Sequence, residues 1–223
     1  MKKFFVSDIS DNRMIYAINA LKKSGYEWVN KYENADFAIS PPKSELLEKS
    51  VDYLKNENFE LNNAYLTAES ALAIAISESK SSLVNSKILV IGYGRIAKAL
   101  HRYLSVFTGD ITVCARNPQQ RILARNNNAR AINFSELRTK KDYDFVFNTV
   151  PFPVVNRAEL KSMKKDVLIV DLASFPGGVD KHEAEAMGLK LVQSWGLPGK
   201  YSPKTAGCYL AEAVDEIVRE KIE

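Results

Sequence analysis

An apolar run, Ile88–Ile91, opens directly onto Gly92-Tyr93-Gly94-Arg95-Ile96-Ala97, and a helix-like segment follows. This stretch restricts the fold more than any other in the chain. A buried strand must turn sharply and hand over to a helix. Gly92 permits the turn, Gly94 lets a ligand approach the backbone, and Ala97 lets the helix pack against the strand. The new helix presents free N–H groups and its positive dipole end to whatever lies outside the turn. Gly-x-Gly-x-x-Ala in this context is the dinucleotide fingerprint, with the pyrophosphate expected over Gly92, Tyr93, Gly94, Arg95 and Ile96. The same turn also suits a tight strand–helix connection that binds nothing.

From Lys87 onward the chain alternates strand and helix. Strands are expected at 87–91, 111–115, 130–133, 144–148, 167–171 and 190–194, with helices near 95–106, 117–127 and 180–187. Shorter connections fall at Ser135–Lys140 and Arg157–Met163. Apolar runs such as Ile88–Ile91 and Val167–Val170 suit parallel strands buried on both faces. Right-handed crossovers then give an α/β, doubly wound parallel sheet of the Rossmann type over 87–203. Residues 1–62 read as a second, smaller α/β domain. It has strands at Lys3–Ser7, Glu27–Lys31 and Ala35–Ser40 and helices at Asn12–Lys23 and Ser44–Lys55. It is too small and too charged to hold a strong core alone. An Ala-rich helix at Asn63–Ser81, capped with help from Thr67, is expected to connect the halves within 63–86. A last amphipathic helix, Lys204–Lys221 within 204–223, is expected to pack back toward the N-terminal domain.

Composition narrows the function classes. The 223 residues carry a net charge of +4 with dispersed lysines and arginines, too little to imply nucleic acid. No run approaches the roughly 18 apolar residues of a membrane span. The N-terminus is no signal peptide, so the cytoplasm is the expected compartment. Cys114 and Cys208 lack metal-ligand or redox spacing and read as small buried side chains.

Cofactor choice is legible at the second strand of the fingerprint unit. An acidic residue there would bind an adenosine ribose 2′-OH. Here the positions are Ala115, Arg116 and Asn117. A guanidinium can grip a 2′-phosphate where a carboxylate would repel it, so NADP(H) is favoured over NAD(H). The alternative is a solvated arginine at a strand end. Arg121 and Arg125 either strengthen the patch or are solvated. Asn148, Thr149, Val150 and Pro151 end the fourth strand, where the nicotinamide ribose is expected. They suit loop capping equally well. The fifth strand runs into Asp171-Leu172-Ala173-Ser174-Phe175-Pro176-Gly177-Gly178. Leu172, Ala173 and Ser174 join the cofactor set, and Ser174 is also a catalytic candidate facing the nicotinamide. Asp171 orients this loop or acts as a structural carboxylate. After the sixth strand, Lys200 and Lys204 stand near the start of the last helix. There they either attract an anionic substrate's carboxylate or are solvated. His101 and His182 form no obvious acid–base pair, and no metal site, P-loop or nucleophile elbow appears.

Taken in order, Gly92-Tyr93-Gly94-Arg95-Ile96-Ala97, Cys114-Ala115-Arg116, Phe147-Asn148-Thr149-Val150-Pro151, Asp171-Leu172-Ala173-Ser174-Phe175-Pro176-Gly177-Gly178-Val179-Asp180 and Gly196-Leu197-Pro198-Gly199-Lys200…Pro203-Lys204-Thr205-Ala206-Gly207 resemble the dipicolinate synthase A subunits. The resemblance runs from about Asn63 to the C-terminus and includes Thr67-Ala68-Glu69. The N-terminal unit is markedly shorter than that family's. The resemblance implies an architecture akin to the D-2-hydroxyacid dehydrogenases and NADP(H) binding. It also implies a homo-oligomer such as a dimer and a flavoprotein-like second subunit. The implied reaction is oxidation of a dihydrodipicolinate-type intermediate to the aromatic dicarboxylate of sporulation. Two other readings stay open: another NAD(P)-dependent small-acid dehydrogenase, and a non-catalytic cofactor-binding regulatory subunit.

Overall fold

The computed structural model describes residues 1–41, 47–139 and 142–220. The chain divides into two compact units. One comprises Met1–Leu66 with Gly196–Glu223, and the other Thr67–Trp195. The sequence places the larger domain at 87–203; the units divide instead within a long helix and just after the last strand.

The first unit begins with β1 (Lys3–Val6), α1 (Asn12–Lys23), β2 (Glu27–Trp28) and β3 (Phe37–Ile39), the strands forming a parallel sheet in the order β2-β1-β3. Asp11 caps α1 by accepting from the Arg13 N–H at 3.0 Å. Gly25 follows the helix at φ +91°, a left-handed conformation suited to glycine. The second strand is only two residues long, shorter than its sequence suggests. The helix expected at Ser44–Lys55 does not form over its described part. Residues 47–50 make a turn and an isolated bridge, and Tyr53–Lys55 a single 3₁₀ turn. Residues 42–46 and Lys140, Lys141 and Lys221 lie outside the described residues.

The long helix α2 (Glu57–Glu78) starts before the expected Asn63. Asn56 Oδ1 accepts from the Phe59 N–H at 2.8 Å and caps it, leaving Thr67 inside the helix rather than at its end. The sequence hides this cap because the apolar face becomes regular only beyond Asn63.

The second unit then runs β4 (Ile88–Ile91), α3 (Arg95–Leu104), β5 (Ile111–Cys114), α4 (Pro118–Asn126), β6 (Arg130–Ile132), β7 (Phe145–Asn148), α5 (Arg157–Lys161), β8 (Leu168–Asp171), α6 (Lys181–Ala186) and β9 (Lys190–Gln193). The connection after β6 is a 3₁₀ segment, Phe134–Arg138. All six strands are parallel, in the order β6-β5-β4-β7-β8-β9. This is the doubly wound order, whose reversal at β4 creates the crevice where such folds take their ligands. Strands β4, β5, β7 and β8 are buried throughout, as their largely apolar sequences favour, with Thr112, Asn148 and Asp171 the buried polar exceptions.

The chain ends with α7 (Leu197–Tyr201) and α8 (Pro203–Glu220). The first of these, a short helix, occupies what the sequence presents as a loop. Within the first unit, Leu210, Ala211, Ala213, Val214 and Val218 of α8 pack with Phe4, Met14, Leu21, Phe37 and Ile39. The small N-terminal sheet thus gains the apolar cover it lacks. Burial of Leu210, Val214 and Val218 contributes about 1.5–3 kcal/mol each. The two helices α1 and α8 pack so closely that a Cβ on Gly207 would stand 2.5 Å from the Arg13 carbonyl oxygen. No described helix is long and apolar enough to cross a membrane.

Candidate dinucleotide-binding site

The fingerprint loop is built as its residues predict. Gly92 has φ +94°, and a Cβ there would collide with Thr149 Oγ1. Its N–H donates to the Cys114 carbonyl at 2.8 Å, tying the turn to β5. Gly94 is the N-cap of α3 and is exposed, and nothing lies within 4 Å of where its Cβ would be. The backbone is therefore open at the helix N-terminus, a cradle that a side chain would fill and a pyrophosphate fits. Ala97 is fully buried. Arg95 is exposed and Ile96 half-buried in the first turn. The Tyr93 side chain departs from its expected role. It is buried, with its hydroxyl 2.9 Å from His101 Nδ1 and 3.4 Å from Asn127 Nδ2. Only its backbone remains for a cofactor. Burial raises the Tyr93 phenol against the hydrogen bond from Asn127, and burial holds the His101 imidazole below its ordinary range. His101 is thus a buried residue of α3 and a partner of the fingerprint loop. Aromatic–His spacing across that turn was the available signal.

At the end of β5, Ala115 is buried and Arg116 is exposed. Asn117 caps α4, accepting from the Gln119 N–H at 2.8 Å. Arg121 folds back over the same turn, its Nη1 donating to the carbonyls of Ala115 at 2.8 Å and Arg116 at 2.7 Å. Two guanidinium groups therefore attend one turn, with no carboxylate at the position that would select a ribose hydroxyl.

The ends of β7, β8 and β9 are organised differently. Parallel register sets Asn148 opposite Asp171 and Asp171 opposite Gln193, so all three side chains share a face. Asn148 and Asp171 are fully buried. Asp171 Oδ1 accepts from Asn148 Nδ2 at 2.8 Å and the Ala173 N–H at 3.3 Å. Its Oδ2 accepts from the N–H groups of Gly178 at 2.9 Å and Val179 at 3.1 Å, and from Gln193 Nε2 at 3.4 Å. Asp171 thus holds the Pro-Gly-Gly loop in shape. The Asn148 amide also donates to the Val150 carbonyl and accepts from the Val150 N–H, both at 3.1 Å. Its polar atoms are engaged inside the protein, as the loop-capping reading of this residue has it. Thr149 is likewise engaged, its hydroxyl donating to the Ile91 carbonyl at 2.9 Å above Gly92. Gly178 sits where a Cβ would meet the Phe152 carbonyl oxygen at 2.7 Å, and Gly177 has φ +92°. Val150 is half-buried and Pro151 exposed; Leu172 and Ala173 are buried. Ser174 is exposed, and its carbonyl accepts from the Gly177 N–H at 2.8 Å. Trp195, not singled out in the sequence, donates its indole N–H to the Ala173 carbonyl at 2.7 Å.

The lysines belong to the other unit and are described there alone. Lys200 lies in the last turn of α7, three residues before α8 begins at Pro203. Lys204 stands in the first turn of α8. Both are exposed. No group of three metal-ligating side chains occurs among the described residues.

Comparison with known proteins agrees with this geometry. Residues 60–180 match the profile of the D-isomer specific 2-hydroxyacid dehydrogenase, NAD binding domain. The chain is 33% identical over 175 residues to the dipicolinate synthase A subunit of Bacillus subtilis (strain 168), covering 77% of this chain and 58% of that protein. It is 31% identical over 98 residues to shikimate dehydrogenase (NADP(+)) of Clostridium botulinum (strain Loch Maree / Type A3), covering 41% of this chain and 38% of that one. It therefore spans only about half the length of the relatives it matches. The crystal structure of the dipicolinate synthase A subunit from Bacillus halodurans superposes with a TM-score of 0.85 at 20% identity, covering 97% of each chain, and attests the fold.

Proposed function

Because the chain belongs to the D-isomer specific 2-hydroxyacid dehydrogenase family through its NAD binding domain, we propose that it is an NADP(H)-dependent oxidoreductase subunit of the dipicolinate synthase A kind. It oxidises a dihydrodipicolinate-type intermediate to dipicolinate and works with a flavoprotein-like second subunit. The observation that carries the cofactor choice is Arg116, exposed beside the capped turn of Asn117 and the folded-back Arg121. A 2′-phosphate there gains charge-assisted hydrogen bonds that a ribose hydroxyl does not.

When bound, NADP⁺ accepts a hydride. The substrate's ring C–H breaks with its electron pair leaving as that hydride, a ring proton passes to solvent, and the ring becomes aromatic. Aromatisation drives the step, so orientation matters more than a dedicated base. Gly92, Gly94 and the α3 N-terminus hold the pyrophosphate through their backbone. Thr149, Val150 and Pro151 frame the nicotinamide end, with Leu172, Ala173 and Ser174. The exposed Ser174 faces the reacting ring. In the other unit, Lys200 and Lys204 offer exposed ammonium groups to an anionic substrate. A homo-oligomer is part of the same proposal.

A small-acid dehydrogenase must move a hydroxyl proton and calls for a histidine–carboxylate pair. Among the described residues neither histidine hydrogen-bonds a carboxylate: His101 is engaged by Tyr93 and His182 is exposed. The deciding assay is NADP⁺ reduction with freshly prepared dihydrodipicolinate, with and without the second subunit. Turnover that requires neither NADP⁺ nor this chain refutes the proposal. Replacing Lys200 and Lys204 together by Ala is expected to raise the substrate's KM by the equivalent of about 1.5–3 kcal/mol, with NADPH affinity unchanged. Unaltered kinetics remove both lysines from the site.

A further inference from the structure

Three aromatic rings stand in succession along one edge of the larger sheet, and the scheme above uses none of them. Phe152 follows β7, Phe175 follows β8 and Trp195 follows β9, and these strands are neighbours in the sheet. Phe152 is 69% exposed and Phe175 is 73% exposed. Such exposure forgoes the gain of about 1.5–3 kcal/mol that burying a large apolar side chain brings.

These rings are not on loose loops. Trp195 is held through its indole N–H by the Ala173 carbonyl at 2.7 Å. Phe175 meets Trp195 edge to face, with centroids 5.7 Å apart and planes at 73°. Whichever ring supplies the edge, at least one face of Phe175 stays uncovered. The Phe152 loop is fixed where its carbonyl abuts Gly178, whose N–H is bound by Asp171 at 2.9 Å. Both loops are also continuous with the candidate site. Phe152 lies three residues beyond Thr149, which covers Gly92, and Phe175 directly follows Ser174.

We propose that Phe152, Phe175 and Trp195 form an aromatic platform that receives the flat ring of a pyridine-type dicarboxylate, and that they set specificity for it. The inference rests on the proposed ring oxidation and says what recognises the ring. A dihydropyridine flattens as it becomes aromatic, so stacking strengthens along the reaction. An interaction of that kind raises kcat more than it lowers KM.

The test uses the full chain saturated with NADP⁺ and two probes, pyridine-2,6-dicarboxylate and its saturated counterpart piperidine-2,6-dicarboxylate. Calorimetry is expected to show the flat ring bound at least tenfold more tightly. Phe175→Ala is expected to reduce that preference to twofold or less, and Phe175→Tyr to keep it. Trp28 is the other of the two tryptophans, so in a Trp28→Phe background the fluorescence of Trp195 is expected to change when the flat ring binds. A preference that survives both Phe175→Ala and Phe152→Ala overturns the platform. So does loss of NADP⁺ affinity in Phe175→Ala with adenosine 2′,5′-bisphosphate binding intact, because the rings would then serve the nicotinamide. Turnover of dihydrodipicolinate at an unchanged rate in Phe175→Ala removes the platform and leaves the oxidation standing. No turnover even with the second subunit added, together with a flat-ring preference that Phe175→Ala abolishes, removes the oxidation and leaves the platform.

Discussion

Beyond β4 and β5 the backbone at Gly94 and the Arg116 side chain lie open, whereas at the ends of β7 and β8 the polar groups of Asn148 and Asp171 are spent. Around Gly94 there is empty space, and Arg116 stands exposed. Around Asp171, five donors from four stretches of chain converge on one buried carboxylate. On one side the same sheet thus ends in open backbone at Gly94 and an exposed guanidinium at Arg116. On the other side it presents a frame whose polar chemistry is complete. A polar residue at a strand end is thus not by itself a ligand contact; what counts is whether its atoms are already paired.

The largest effect should come from dismantling the completed half. Asp171→Ala strands the N–H groups of Gly178 and Val179 and the amide of Asn148. Chemical denaturation is expected to show a loss of about 3–5 kcal/mol. A stability close to that of the parent would mean that this half is not a frame at all.

Next come the two glycines of the fingerprint. Gly92→Ala forces a side chain into a left-handed position and onto Thr149, and should cost about 2–4 kcal/mol of stability. At Gly94 nothing lies within 4 Å of an added Cβ, so in Gly94→Val the fold should persist, as judged by circular dichroism and melting. Cofactor binding should nevertheless be lost, because the branched side chain fills the cradle. Titration showing undiminished NADP(H) affinity in Gly94→Val would make the open half a mere turn.

Smaller again is the charge at the end of β5. Arg116→Asp should weaken NADP(H) relative to NAD(H) by about 1.5–3 kcal/mol. Equal affinities for the two cofactors in the parent would remove Arg116 from recognition.

The smallest effect concerns pH. Burial holds His101 neutral in the folded chain below its ordinary titration range. Well above the ordinary histidine pKa of about 6.5 both states of this residue are deprotonated, and its contribution to stability is whole. Below that pH the unfolded chain takes up a proton that the folded chain refuses, and stability falls until the folded imidazole also titrates. Urea midpoints across this window should show the decline, and His101→Gln should flatten it. An unchanged slope in the variant would assign the decline to other groups.

Much of this was legible in the chain itself. Largely apolar runs gave the four central strands β4, β5, β7 and β8 to within a residue at each end, because parallel strands covered on both faces leave little room for polar residues; the edge strands β6 and β9, with Arg130, Lys190 and Gln193, were bounded as closely by strand–helix alternation. The glycine turn was readable for a similar reason: only glycine suits Gly92's backbone. What escaped was cooperative. Asn148, Asp171 and Gln193 lie far apart in sequence and meet only through strand register. Arg121 could be weighed as a patch residue, but not as a group folded over two carbonyls. The short helix α7 was hidden by Pro198 and Gly199, which signal a loop when read alone. Over the described residues 47–55 the expected Ser44–Lys55 helix does not form, because apolar spacing there reflects packing of Val51 and Tyr53 into the first unit's core, not helical periodicity.

The Asp171 knot has a thermodynamic consequence for any ligand that meets the β7 and β8 loops. Ordering a loop costs roughly 1–2 kcal/mol of conformational entropy per residue. Here that loss falls on folding, since Gly178, Val179 and Ala173 are already bound before anything arrives. A ligand docking against these loops meets a surface with little left to immobilise, so more of its contact free energy appears as affinity. Association there should be limited by encounter rather than by waiting for a rare loop conformation.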